Sequence, residues 1–229
     1  MNSDNRLTIF VASPDSYSDV FKIFLTCFKK YWHNCPYKFL LATNTKTYDG
    51  IKVICNHKEN DSWTERTLWA LKEIDTKYIL LMNDDFFIVD YVDNSKINYI
   101  LDMMDKHSIN FCRLKPGKNG TAVENNSCIF KTHKRQPYGK NLQVGIFSTE
   151  YFKSILGDGS KSAWDLEKQW ISDTISAPDE YFEDITFCNQ TVIKKIHGIA
   201  KGMWFPSALK KLKKLGITYT GTRKKLSYA

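Results

Sequence analysis

Residues 78–89 read YILLMNDDFFIV, and how this stretch is read decides the fold. Tyr78, Ile79, Leu80, Leu81 and Met82 are apolar without alternation, as in a strand buried on both faces of a parallel sheet. The run stops at Asn83, Asp84 and Asp85, and apolar character returns at Phe86. Adjacent carboxylates beside a hydrophobic core repel each other and are costly to desolvate. A hard divalent cation, Mg2+ or Mn2+, takes oxygen ligands and would relieve both problems. Ligands of open α/β sheets also bind outside the carboxyl ends of the strands. The plain alternative is a solvated turn, for which Asn and Asp are ordinary residues.

The chain has 229 residues, enough for one domain with a sizeable core. Hydrophobic residues make up 42% and aromatic ones 14%, which excludes a disordered chain. The six cysteines form no C-x-x-C pair; reduced thiols are expected, not a disulfide framework or a zinc site. The start, MNSDNR, is polar, and no apolar run approaches a membrane span. The expectation is a soluble cytoplasmic protein. Net charge is +8, which favours an anionic partner. The excess is local: residues 194–229 carry ten Lys or Arg and no Asp or Glu.

Before the acidic turn, residues 7–12 and 37–42 read as strands, each followed by polar residues, Ser13 and Ser16 after the first and Thr43 and Asn44 after the second. A helix with apolar residues at three- and four-residue spacing separates them, with Ser16 and Asp19 as its capping pair. Residues 51–55 form a third strand, and Ser62 with Glu65 caps a second helix carrying Trp63 and Arg66. Alternating strands and helices indicate βαβ units and a parallel sheet, so these polar spots gather on one rim with Asp84 and Asp85. Later, residues 97–104 are helical, 109–114 a strand, 115–126 a polar loop, 128–131 a strand, 136–139 a turn, and 144–147 a strand leading into a helix over 149–156.

Residues 162–175, SAWDLEKQWISDTI, form a helix on which Trp164, Glu167 and Lys168 share a face while Asp165 and Gln169 share the next. Tryptophan beside carboxylates suits a sugar; a core tryptophan with solvated acids is the alternative. His197 could ligate a metal and Lys201 a phosphate, although a lone histidine more often satisfies local hydrogen bonds. Residues 206–215, PSALKKLKKL, form a basic amphipathic helix suited to an anionic membrane surface, or a plain surface helix packed by its leucines.

Taken together, YSDVFKIFLTCFKKYW, SWTERTLWALKEI, YILLMNDDFFIVD and SAWDLE resemble GT-A glycosyltransferases, in particular those of bacterial capsule and lipopolysaccharide assembly. The resemblance implies an α/β fold of one GT-A-like domain: a mostly parallel, Rossmann-like nucleotide-sugar-binding half over 1–114, an acceptor half over 115–205 and a basic tail over 206–229. It also implies a donor, a UDP-sugar by default, and a saccharide or lipid-linked saccharide acceptor. In that superfamily a D-x-D motif holds a divalent cation on the donor diphosphate. Here the triplet is Asn83-Asp84-Asp85, so the first acid is missing. The resemblance assigns the cation to Asp85, Asp84 and His197, and nucleotide contacts to Ser13, Ser16, Thr43, Asn44, Trp63, Arg66, Asp84 and Lys201. Trp164 would stack on the acceptor, and Glu167, ahead of Asp165, would be the base of an inverting transfer. Two other readings compete. A sugar-nucleotide nucleotidyltransferase would carry glycine and a basic residue in its first loop, and SPDSYSD has neither. A nucleic-acid-binding protein or metal nuclease would spread its basic residues along a groove, and here they cluster at the tail, so no nucleic acid is expected. The tail instead suggests peripheral attachment to the inner membrane face.

Overall fold

The computed structural model describes residues 5–132, 139–176 and 185–227. The first half alternates strand and helix. It comprises β1 (Leu7–Ala12), a single 3-10 turn at Asp15–Tyr17, α1 (Ser18–Tyr31), β2 (Lys38–Thr43), β3 (Lys52–Cys55), α2 (Trp63–Leu71), β4 (Tyr78–Met82), β5 (Phe86–Ile88), α3 (Asn94–Lys106) and β6 (Phe111–Arg113). The second half contains β7 (Thr121–Ala122), β8 (Ile129–Thr132), β9 (Gly145–Ser148), α4 (Thr149–Ile155), α5 (Ala163–Ser176), β10 (Ile185–Cys188), β11 (Lys195–His197), β12 (Ile199–Ala200), β13 (Met203–Trp204) and α6 (Pro206–Lys214).

Nine strands form one sheet in the order β3-β2-β1-β4-β9-β6-β10-β8-β7. The β1, β2, β3 and β4 pairings are parallel. β9 runs antiparallel between β4 and β6, and β8 opposes both β10 and β7. With β10 parallel to β6, the two strands β8 and β9 oppose the other seven. This is the mostly parallel α/β sheet expected from the sequence. Three strands of this sheet were not foreseen in their roles: β9 is inserted antiparallel in the centre, β7 lies within the expected 115–126 loop and pairs with β8, and β10 was not identified at all.

Alternation along β1 and β4 explains why they are apolar on both faces. Leu7, Ile9, Val11, Tyr78, Leu80 and Met82 face one core layer with α1, α3 and Leu212 of α6. Phe10, Ala12, Ile79 and Leu81 face the other, built with Ala70, Leu71, Phe152, Leu166 and Trp170. Both faces are covered, so these strands are apolar except at Thr8, whose hydroxyl accepts from Thr76 Oγ1 at 2.9 Å. Ser62 caps α2 as expected, its side chain accepting from Glu65 N. The expected cap from Ser16 is not formed: α1 begins at Ser18 with no side-chain cap, and Asp19 is held by Arg223 and Tyr219 instead. Residues 136–138 of the expected 136–139 turn lie outside the described residues.

A two-stranded sheet pairs β5 antiparallel with β11, placing His197 opposite Phe86. α6 buries Ala208 and Leu212 and packs Leu209 and Leu215 on the core, so its leucine stripe faces inward while Lys210, Lys211, Lys213 and Lys214 are exposed. No helix among the described residues is long and apolar enough to cross a membrane.

Gly198 ties the small sheet to the acidic turn, its N–H donating to Asp85 O at 2.8 Å. A Cβ there would clash with a ring carbon of Phe87, which stacks on Trp204 at 5.5 Å. Gly198→Ala is expected to cost about 1–3 kcal/mol through overpacking, seen as a lower urea midpoint at unchanged slope. An unchanged midpoint would show that Phe87 yields freely.

Candidate active site

β2 and β3 extend the sheet to one side of β1, and β4 lies on the other. The carboxyl ends of β1 and β4 therefore flank a topological switch point, where open α/β sheets bind ligands. The loops after these strands carry Ser13 and Asp84-Asp85. Phe86 N donates to Asn83 O at 3.0 Å, closing a turn with the two aspartates at its central positions. Their side chains go to different partners. Asp84 is buried and accepts from Ser13 Oγ at 2.5 Å, across the switch point. Asp85 Oδ2 lies 2.9 Å from His197 Nε2, on the more open side. Burial, reinforced by the Asp85 charge, pushes the Asp84 carboxyl up to about 7.

The other nucleotide-side candidates form a buried polar frame. Asn44 Nδ2 donates to Asp61 Oδ1 at 2.7 Å and its Oδ1 accepts from Asp15 N at 2.9 Å. Arg66 pairs with Asp61, whose side chain is fully buried, while Asn56 Nδ2 donates to Asp61 Oδ2 at 2.5 Å. Thr43 Oγ1 donates to Lys46 O at 2.7 Å. Arg66 Nε is buried without a partner. Asp61 is thus the hub joining two loops to α2, and it was missed because a single Asp before a capping Ser reads as loop. Trp63 is half-buried at the start of α2, against the second core layer.

Ser16 is exposed, and its carbonyl accepts from Arg223 Nη2 at 2.6 Å. Arg223 also pairs with Asp19 at 2.7 Å, donates to Gly202 O at 3.1 Å and lies over the Tyr17 ring at 4.5 Å. Tyr17 in turn lies within electrostatic reach of Asp84 and Asp85; burial first, then Asp84, raises its phenol. The C-terminal segment therefore straps the β1–α1 loop, aided by backbone bonds from Trp204 N to Lys224 O and from Leu226 N to Trp204 O, both 2.9 Å. Nothing in the spacing of Arg223 signals this.

Lys201 is exposed at the tip of the β12–β13 turn in the left-handed region, φ 50°, followed by Gly202 at φ 73°. The cation set beside Asp85 is instead Lys195, on the same face of β11 as His197. Its Nζ sits 3.2 Å from the Phe86 ring centroid, and burial, then Lys115, brings it down to about 8. On α5, Glu167 Oε1 accepts from Leu142 N at 2.7 Å and is within electrostatic reach of Lys115. Asp165 is solvent-facing and serves the helix start: it accepts from Ser162 Oγ at 2.6 Å and lies 3.5 Å from Lys168. Trp164 is 69% exposed.

Among the described residues, no group of three or more His, Cys, Asp or Glu could hold an ion. Asp85 and His197 converge, and ions of the Mg2+ kind are commonly held by one or two carboxylates with phosphate and water completing the shell. The residues fit an ion shared with a phosphorylated ligand. Asp84, bonded to Ser13, faces away from that pair.

No family model and no curated protein matches the chain. Among solved structures, it is similar to residues 1–349 of S. aureus TarS, at 14% identity and TM-score 0.49, over 82% of this chain and 59% of that one. A UDP-glucose pyrophosphorylase complexed with UDP-glucose matches at 8% identity and TM-score 0.47, over 83% and 92%. The bifunctional IspDF of Campylobacter jejuni matches at 10% identity and TM-score 0.42, over 72% and 47%. The chain spans less than two thirds of the length of the TarS structure.

A carboxyl whose folded-state pKa is raised makes no difference to stability below its unfolded value, near 4, and costs stability as pH rises through about 7. Three units correspond to on the order of 4 kcal/mol. Asp84→Asn is therefore expected to raise the melting temperature in EDTA at pH 8 and to leave it nearly unchanged at pH 4. An equal effect at both pH values would contradict a buried, reluctantly ionised Asp84.

Proposed function

We propose that the protein transfers a glycosyl group from a nucleotide-sugar, a UDP-sugar by preference, to a saccharide or lipid-linked saccharide in surface polysaccharide synthesis. The observation that carries this reading is the position of Asp85. It stands at the β1–β4 switch point beside His197 and Lys195, with Asp84, Ser13 and the Asn44–Asp61–Arg66 frame on the nucleotide side.

Transfer breaks the bond between the anomeric carbon and the diphosphate oxygen, and the bonding electrons leave with the diphosphate. Negative charge grows there, and Lys195 is placed to offset it. A divalent cation held by Asp85 and His197 would supply further charge neutralisation of the diphosphate. Ser13, Asn44 and Arg66 would orient the nucleoside, with Thr43 and Trp63 shaping the frame. Ser16, held by Arg223, would present the first loop. Trp164 would receive the acceptor sugar on its exposed indole. Glu167 would take the proton of the acceptor hydroxyl in an inverting transfer. Asp165 is the weaker base because the bond from Ser162 Oγ, together with the charge of Lys168, lowers its carboxyl.

The test is release of UDP from a panel of UDP-hexoses in Mn2+ or Mg2+. Asp85→Ala is expected to lower the rate roughly a hundredfold or more. Formation of pyrophosphate from UTP and a sugar 1-phosphate, with no UDP release from any nucleotide-sugar, would overturn glycosyl transfer in favour of nucleotidyl transfer.

The lysine face of α6 is proposed to meet anionic lipid. Because its leucines are packed inside, the attraction is electrostatic, about 1 kcal/mol per lysine near such a surface. Replacing Lys210, Lys211, Lys213 and Lys214 by Glu should abolish co-sedimentation with phosphatidylglycerol vesicles at low salt; undiminished binding would sink the idea.

A further inference from the structure

Cations seldom go into a protein interior unless something pairs with them. Arg113, at the end of β6, is 8% exposed. Its Nε is buried without a partner, its Nη2 reaches only Pro116 O at 3.4 Å, and its guanidinium lies 5.7 Å from the Phe187 ring. Lys115 follows two residues later and donates to Gln143 Oε1 at 2.7 Å. Backbone bonds bring Lys195 to the same place: Leu114 N donates to Val144 O at 3.2 Å and Val192 N to Leu114 O at 3.1 Å, so the chain entering β11 runs beside the extension of β6.

Lys115 consequently lies within electrostatic reach of Arg113 on one side and Lys195 on the other. The carboxylates facing them are Glu167 and Asp85. Each is already engaged, by Leu142 N–H and by His197. Among the described residues, none of the three cations is in an ion pair. Along the sheet, β6 stands three strand steps from β1, about 14 Å at ordinary strand spacing. A diphosphate at the β1–β4 crevice would leave Arg113 and Lys115 facing the Glu167 side.

We propose that Arg113 and Lys115 receive an anionic group carried by the acceptor, a phosphate or a carboxylate, beside Glu167. Lys195 stands on the Asp85 side, toward the donor diphosphate. The inference rests on the glycosyl-transfer reading above and narrows its acceptor to a negatively charged saccharide. A planar guanidinium and an ammonium group provide the charge-assisted donors that such a group requires.

The test is calorimetric titration of glucose, glucose 6-phosphate and glucuronic acid into protein saturated with UDP and Mg2+. Both charged sugars are expected to bind roughly tenfold or more tighter than glucose. Lys115→Gln should remove this preference with UDP affinity unchanged, and Lys115→Arg should restore it. Equal binding of all three sugars would overturn the proposal. So would a weakening of UDP by Lys115→Gln, or displacement of glucose 6-phosphate by UDP, since either assigns the cations to the donor diphosphate. Failure to bind UDP at all would count against the glycosyl-transfer reading separately, because glucose 6-phosphate titrated into nucleotide-free protein still reports on this cation site.

Discussion

The site depends on how one tight turn separates two adjacent carboxylates. Asn83 O and Phe86 N close the turn, and its central residues send their side chains opposite ways. Two carboxylates on one side of that turn would repel at close range in a poorly solvated place. Split, they do different work. Asp84 goes inward and fastens β4 to the β1 loop through Ser13, whereas Asp85 goes outward to His197. The missing first acid of the triplet is consistent with this division, since a third carboxylate would add repulsion without a further cation to meet it.

The fold was legible where periodicity is governed by burial alone. β1 and β4 lie between two helical layers, and their largely apolar runs could have meant little else. α2 was legible because Ser62 and Glu65 carry their cap within four residues. Legibility failed where long-range partners decide. The Ser16–Asp19 spacing looks like a cap, but Arg223 holds Asp19 from two hundred positions away in sequence. β10, only four residues long and broken by Thr186, was too short to stand out in the sequence.

The same division applies to the site. Asp85 and His197 were identifiable as acid and imidazole, yet only the β5–β11 pairing brings them together. Lys195 and Lys201 look alike in a basic stretch. The strand alternation of β11 turns the first toward Asp85, and a left-handed turn carries the second into solvent. Asp61 and Arg113 gave no signal because their importance lies in being buried, one with partners and one with an unsatisfied nitrogen.

The strap made by Arg223 has a bearing on the order of assembly. Its contact with Asp19 closes a loop spanning 204 positions. Closing so long a loop early would cost entropy without local contacts to offset it, so the contact can form only after the sheet has brought the two segments near each other. Opening it again disturbs residues 217–227 and the β1–α1 loop and leaves the strand pairings of the sheet intact. Stability is thus graded across the molecule: the sheet is the durable part, and the rim above β1 sets last and loosens first.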